Sequence, residues 1–199
     1  MYERTDKAVA IINDRLIELF SDLKSVMTFD RLNIMQAVND TYAEADEIIR
    51  KVFLALARHV YADKVNDDRG RKIDEEWLDF VLTAYDPVSK YVYVNEFDRK
   101  RARLIEAAIS STAKTQEIDR ALKALSFMAR VYAVIVTDKA HLQALEDNRV
   151  KKVRWVAELD EKTCTVCHKR DGKIYFLEDL PPKPHPNCRC WYKEVRKQA

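Results

Sequence analysis

One stretch, residues 164–190, determines the fold predicted for the C-terminal part of the chain, and it reads CTVCHKRDGKIYFLEDLPPKPHPNCRC. It holds all four cysteines of the chain, as a Cys-x2-Cys pair followed after 17 residues by His-x2-Cys-x-Cys. Zn²⁺ takes four nitrogen or sulfur donors in a tetrahedron, and two short pairs from distant turns can supply them. The stretch therefore predicts a zinc-binding module, whose candidate ligands are Cys164, Cys167, His185, Cys188 and Cys190.

Five candidate ligands compete for four positions around the metal, which favours a closed, structural Zn²⁺ site. A catalytic zinc site keeps one position open for water. Cys188 and Cys190 remain alternatives for the fourth ligand, because residues two apart on a strand face the same side. A module of about 40–50 residues has little hydrophobic core of its own, so we expect metal binding to supply folding free energy.

Three other interpretations of the cysteines are weaker. The thiols could be buried without a metal and pack as small hydrophobic groups. Residues 164–168 match the Cys-x2-Cys-His pattern of c-type haem attachment, but that chemistry requires export and leaves His185 and the later cysteines unexplained. A thioredoxin-like dithiol would need Cys164 to open a helix in an α/β setting, whereas the flanking residues predict a β-hairpin.

The residues around the cysteines predict a small β structure. Alternating and β-branched residues indicate strands at residues 153–159, 173–176 and 188–195. Asp171-Gly172 is typical of a tight turn between the first two. Residues 180–186 contain four of the five prolines, which predicts a stiff, irregular loop.

The preceding residues predict helices. Two glycines in 199 residues are too few for the many turns of a strand-rich fold. Apolar residues recur at steps of three and four along five segments, which are residues 6–26, 31–65, 74–86, 94–108 and 115–136. In the third segment we expect Tyr85 on the buried face and Asp86-Pro87 as the stop, and in the fifth we expect Thr115 as the cap.

The predicted fold class is therefore mainly α. A helical N-terminal body at residues 1–149 would precede a small C-terminal β-hairpin zinc-binding module at residues 150–199, which makes the chain α+β overall. We expect the module to be zinc-stapled and β-rich, with the boundary near residue 150.

Composition excludes several classes of protein. The chain is 47% hydrophobic and 34% charged, which is typical of a globular protein. Its N-terminus carries no pattern of a secretory signal, and no stretch of about 18 apolar residues predicts a transmembrane helix. The formal net charge is only +2, but residues 150–199 hold 12 basic and 7 acidic residues, a balance of +5.

The basic residues of the module are candidates for contacts with phosphates, and Trp155, Trp191 and Tyr192 for base stacking. These basic residues are Arg154, Lys162, Lys169, Arg170, Lys173, Lys183, Arg189 and Lys193. The simpler interpretation makes the two tryptophans the small core of the module and the charges a solvated surface.

No pattern predicts catalysis. The chain has no glycine-rich phosphate loop, and no local spacing joins a nucleophile, a histidine and a carboxylate. Asp160 and Glu161 precede the first cysteine pair, and we expect them to be solvated charges; we expect His168 to lie at the surface. We predict that the chain is not an enzyme and takes no small-molecule substrate.

The C-terminal stretch resembles the phage Mu F-like family, also called the phage head morphogenesis or minor head protein family, over about residues 115–195. The residues that carry the resemblance are Trp155, Asp160, Thr163-Cys164, Cys167, Asp171-Gly172-Lys173 and His185-Pro186-Asn187-Cys188-Arg189-Cys190. The family usually has Ala-Arg-Thr-Glu in the helix before the module. Here Ile135-Val136-Thr137-Asp138 stands at the corresponding place, so the arginine is missing and Asp138 replaces glutamate.

The resemblance implies a minor head component of a tailed phage or prophage that acts in capsid assembly near the portal. Its partners would be portal, scaffold or other capsid proteins, without a membrane. Its location would be the host cytoplasm during assembly and then the capsid interior of the virion. The alternative is a nucleic-acid-binding zinc module that associates with packaged or ejected DNA, through residues such as Arg154, Lys173 and Arg189.

Overall fold

The computed structural model describes residues 2–26, 31–65, 73–110, 113–161 and 163–195. These residues form six helices and three strands, which are α1 Tyr2–Val26, α2 Arg31–Ala62, α3 Glu75–Thr83, α4 Tyr93–Ser110, α5 Lys114–Asp147, β1 Lys152–Val156, α6 Thr165–Arg170, β2 Ile174–Phe176 and β3 Trp191–Glu194. The chain is thus mainly helical with a small antiparallel sheet near its C-terminus, which confirms that part of the predicted fold class. None of the described helices combines the length and the apolar character needed to cross a membrane.

The helical core is built on α1, α2 and α5, which pack against one another. The apolar stripe predicted for α1 is confirmed, since Val9, Ile12 and Leu16 are buried. α4 lies against α2 and α5. Its first residue, Tyr93, is fully buried and makes an edge contact with Tyr132 of α5, with ring centroids 5.0 Å apart.

The predicted end of the third helix is wrong by three residues. α3 ends at Thr83. Asp86 then accepts the backbone N–H groups of Val88 and Ser89 at 3.0 and 2.6 Å, and this side-chain turn replaces a further helical turn. Tyr85 consequently lies outside the helix and is 63% exposed instead of buried.

The fifth helix is longer than its periodicity indicates. α5 runs for 34 residues to Asp147, and it begins at Lys114, so the predicted cap at Thr115 is wrong. Residues 131–136 are all buried. Because α5 packs against α1, α2 and α4, burial on several sides outweighs the weak helix propensity of its β-branched residues.

The sheet has the strand order β2-β1-β3, and both pairs are antiparallel. β1 ends at Val156, before the predicted end at residue 159, and β3 begins only at Trp191. Along β1, Val153 and Trp155 are fully buried while Lys152 and Arg154 are exposed. One face of the sheet therefore packs inward and the other faces solvent.

A second hydrophobic cluster lies under the sheet, separate from the helical core. Its buried members are Leu145, Val150, Val153, Trp155, Ala157, Cys167, Cys188, Cys190 and Tyr192. The last turns of α5 contribute Leu145, so the helix reaches into the packing of the sheet. The division of the chain into two domains at residue 150 stays a prediction.

Candidate metal centre

Cys164 and Cys167 lie at the start of α6. Cys164 is the N-cap of this helix, and its Sγ accepts the backbone N–H of Cys167 at 3.4 Å. A capping side chain turns toward the first helical turn, so both sulfurs come to one end of the helix. The predicted hairpin of the flanking residues is confirmed, since β1 and β2 pair antiparallel, but the cysteine pair itself opens a short helix between these strands. Among the described residues, this antiparallel pairing is not the α/β setting of a thioredoxin-like dithiol.

His185, Cys188 and Cys190 lie in the irregular segment between β2 and β3. The predicted loop around His185 is confirmed, and the predicted strand at Cys188 and Cys190 is wrong. Asn187 has a left-handed backbone conformation with φ of 60°, which asparagine tolerates better than most residues. Its position between His185 and Cys188 reverses the chain there. Strand alternation therefore does not govern where the sulfurs of Cys188 and Cys190 point.

The donor atoms converge on Cys167. Its Sγ lies 3.5 Å from Cys188 Sγ and 4.0 Å from His185 Nε2. Two groups, Cys164–Cys167–His185 and Cys167–Cys188–Cys190, each have all donor atoms within 4.8 Å of one another. Around a tetrahedral zinc ion, donor atoms at the usual bond lengths are separated by about 3.5–3.8 Å. The cluster could therefore hold a metal ion, and its thiol and imidazole donors fit Zn²⁺.

Burial and hydrogen bonding perturb the thiols in opposite directions. Burial raises the pKa of Cys167 to about 12. A hydrogen bond from the Cys188 thiol lowers the pKa of Cys190 to about 5, and the same bond raises the pKa of Cys188. Burial alone would raise the pKa of Cys164, but hydrogen bonds to its sulfur from Cys167, Val166 and His185 together outweigh burial and lower it. The protein alone thus favours a partly protonated cluster, and a bound cation would favour deprotonation of its ligands.

A surface ion pair holds the two halves of the cluster together. Arg189, between the last two cysteines, pairs with Asp160, which precedes the first pair. Asp160 also donates its backbone N–H to Thr163 Oγ1 at 3.0 Å. Asp160 is therefore a structural residue as well as a surface charge, a role that local spacing did not reveal. His168 is exposed, as predicted.

Three residues of the site were missed as a group by the sequence analysis. The Lys183 side chain is 5% exposed and Asp138 is 14% exposed, and their ion pair measures 2.6 Å. Tyr2, at the start of α1, donates its hydroxyl to the same carboxylate at 3.0 Å. One indication of this group was present in the sequence: Asp138 stands where the family usually has the glutamate of Ala-Arg-Thr-Glu. Residues 2 and 183 are too far apart in sequence for spacing to connect them.

The basic residues of the module lie in different environments. Lys183 is buried and Arg189 is paired, whereas Arg154, Lys173 and Lys193 are exposed. The Arg170 guanidinium lies 4.9 Å above the ring of Trp155 and donates to the carbonyl of residue 182 at 2.7 Å. Residue 162, also counted as a basic candidate, lies outside the described residues.

Of the aromatic candidates, Trp155 and Tyr192 are core residues. They are 0% and 4% exposed and pack edge to face, with ring centroids 5.3 Å apart. Trp191 is half-buried. Trp191 is therefore exposed enough to stack on a base, whereas Trp155 and Tyr192 are too deeply buried to do so.

A family model described as "Phage Mu protein F like protein" matches residues 94–193, which are half of the 199-residue chain. The chain belongs to the phage Mu protein F-like family. The match begins at α4 and not at about residue 115, so the matched region includes α4 and α5 as well as the cysteine cluster of this chain. Comparisons with curated proteins and with solved structures found no match.

Proposed function

We propose that this Mu F-like protein is a minor head component, structural in role, that acts in capsid assembly near the portal. Membership of a head morphogenesis family supports a head protein associated with other capsid proteins. The finer placement near portal or scaffold, first in the host cytoplasm and then inside the capsid, is our proposal. The observation that carries it is the convergence of the cysteine cluster under the sheet, because a metal there would make the module a rigid surface for partner proteins.

We further propose that the cluster binds one structural Zn²⁺ through Cys164, Cys167, His185 and Cys188. We assign the fourth position to Cys188 because its sulfur lies 3.5 Å from that of Cys167. The bound ion would contribute folding free energy to a module whose own core is small. Such a closed site fits a structural family and leaves no position for catalysis.

Metal analysis of the purified chain tests this assignment. We expect about one zinc per chain, and we expect its loss in the Cys164→Ala, Cys167→Ala, His185→Ala and Cys188→Ala variants. Cys190→Ala is the matched control, because it removes a neighbouring buried thiol and should retain the metal. If Cys190→Ala loses zinc and Cys188→Ala keeps it, the fourth ligand is Cys190 and not Cys188. If the parent chain contains no metal, the proposed site is wrong.

The role in the head is tested separately, in particles. We expect quantitative mass spectrometry of purified procapsids to find the protein at low copy number, and crosslinking to join it to portal or scaffold. His185→Ala should reduce incorporation more than Lys139→Met, an exposed substitution on α5. If the parent protein is absent from both procapsids and mature particles, the proposal is wrong.

A second candidate function, nucleic-acid binding, is favoured by the solvent-facing side of the sheet. Directly paired residues lie on the same face, so Arg154 shares its face with Ile174 of β2 and Lys193 of β3. Lys152, Phe176 and Trp191 lie on this face too. Among the described residues, no carboxylate pairs with Arg154 or Lys193. Cations interleaved with aromatic rings are the pattern that single-stranded nucleic acids bind.

Salt-dependent binding to a single-stranded oligonucleotide tests this second candidate. We expect log affinity to fall linearly with log salt, and Arg154→Ala with Lys193→Ala to reduce that slope by about 1.4, or 0.7 per phosphate contact. Arg189→Ala should leave the slope unchanged, because Arg189 is held by Asp160 away from this face. Binding that does not change with salt would exclude the candidate.

A further inference from the structure

A buried polar network joins three distant parts of the chain beside the cysteine cluster. Lys183 Nζ donates to Tyr2 Oη at 2.5 Å, to Asp138 at 2.6 Å and to the Cys188 carbonyl at 3.1 Å. Tyr2 Oη lies 2.8 Å from the Cys190 carbonyl and 3.0 Å from Asp138. The network therefore ties the first residue of α1 and the last third of α5 to the backbone of both Cys188 and Cys190.

Each donor proton of this network has an acceptor. An ammonium group has three protons, and Lys183 has three acceptors, one of which is a carboxylate. The Tyr2 hydroxyl has one proton, which the Cys190 carbonyl or Asp138 accepts. A buried ammonium group is tolerated when it is paired and fully hydrogen-bonded. Each member is therefore held in place by the others.

The network fixes the loop that carries two of the candidate sulfurs. The carbonyls of Cys188 and Cys190 are held by Lys183 and Tyr2, so the backbone on both sides of Arg189 has a defined position. Groups that orient metal ligands without touching the metal change metal affinity about 10–100-fold when they are removed. Tyr2 is at the same time the first residue of α1, whose neighbouring Thr5 hydroxyl bonds to Thr137 of α5 at 2.9 Å.

We propose that Tyr2, Asp138 and Lys183 couple metal binding at the cysteine cluster to docking of the first turns of α1. The inference rests on the proposed metal site. The three residues are positioning residues: they hold the ligand loop through its carbonyls, and a loop ordered by metal in turn offers those carbonyls to Tyr2 and Lys183. Coupling between two binding events is reciprocal, so each should strengthen the other by the same factor.

Two measurements on the full chain test the coupling. The first is Zn²⁺ affinity by competition with a chromogenic chelator, which we expect to fall on the order of 10-fold in Tyr2→Phe and up to about 100-fold in Lys183→Met. The matched controls are Tyr85→Phe and Lys139→Met, which change exposed residues with no hydrogen bond to the cluster. Tyr2→Phe keeps the ring and removes one oxygen, so it keeps the test valid if Lys183→Met misfolds.

The second measurement is hydrogen exchange along α1. We expect removal of zinc to accelerate exchange in the first two turns, near Tyr2 and Thr5, and to leave the turns around Leu16 unchanged because they pack in the helical core. If Tyr2→Phe binds Zn²⁺ as tightly as the parent, and hydrogen exchange in α1 does not depend on zinc, the coupling is wrong. The metal site itself would still be supported, because both chains would bind zinc. A parent chain that binds no zinc would overturn both.

Discussion

The ion pair of Lys183 with Asp138 gives a quantitative test of the packing between α5 and the module. Lys183→Met removes the ammonium group and leaves the Asp138 carboxylate, 14% exposed, without its counter-charge. Breaking a buried pair in this way costs about 3–5 kcal/mol, because the remaining charge stays desolvated. Both side chains are well covered, so solvent screens the pair little.

A double-mutant cycle separates the pair from its surroundings. Asp138→Leu alone should also be destabilising, since it leaves a buried ammonium group, whereas the double variant loses both charges together. We expect the double variant to be about 1–3 kcal/mol less stable than the parent, mainly because the Cys188 carbonyl loses its donor. Because Asp138→Leu should cost about as much as Lys183→Met, the two single losses together should exceed the loss in the double variant by at least about 3 kcal/mol, which is the interaction energy of the cycle.

Urea unfolding of zinc-loaded protein at pH 7, followed by helical circular dichroism, measures each corner of the cycle. Lys139→Met, at an exposed position of α5, should lie within about 0.5 kcal/mol of the parent. If the two single losses simply add in the double variant, the side chains do not stabilise each other and the reasoning is wrong.

Three further predictions concern other residues. Burial, with a smaller effect of Lys64 and Lys183, lowers the pKa of His141 to about 4, so the unfolded chain binds the additional proton between about pH 6.5 and 4. Parent stability should fall by up to about 3 kcal/mol across that window relative to His141→Leu in paired urea titrations, and parallel curves would contradict this. Asp74→Ala removes the cap of α3, whose carboxylate accepts from Trp77 N–H at 3.1 Å, and should cost about 1 kcal/mol in thermal unfolding; an unchanged midpoint would refute the role of the cap. Trp155→Ala opens a cavity in the second cluster and should cost about 3–5 kcal/mol, and a loss below 1 kcal/mol would show that Trp155 is not a core residue.

Periodicity predicted the helices well where one face is buried and poorly where tertiary contacts decide. The stripe of α1 faces a single neighbouring layer, and its buried residues follow the sequence pattern. Residues 131–136 of α5 are buried on every side, so they carry no polar face from which to recognise a helix. Tyr85 was misplaced for a different reason: the carboxylate of Asp86 organises a turn that Pro87 alone does not locate.

In the candidate site too, features set by local sequence were predicted and features set by tertiary contacts were missed. The ligand types and their spacing predicted which residues converge, because Cys-x2-Cys and His-x2-Cys are local patterns. The N-cap role of Cys164 was missed, since a sulfur that caps a short helix leaves the same spacing as one in a hairpin turn. The network of Tyr2, Asp138 and Lys183 was missed because 181 residues separate its ends. Such contacts depend on the docking of α1 and α5 and leave no local trace.

Burial of the cysteines alone would be consistent with small hydrophobic side chains in a core. Cys167, Cys188 and Cys190 do belong to the second cluster, and each is at most 3% exposed. Apolar packing, however, gives no reason for His185, half-buried, to place Nε2 4.0 Å from Cys167 Sγ. It also gives no reason for Cys164, at the edge of the cluster, to accept a backbone N–H through its sulfur. Both features place a donor atom toward the buried thiols from the solvent side, which is where a metal ion would need its remaining ligands.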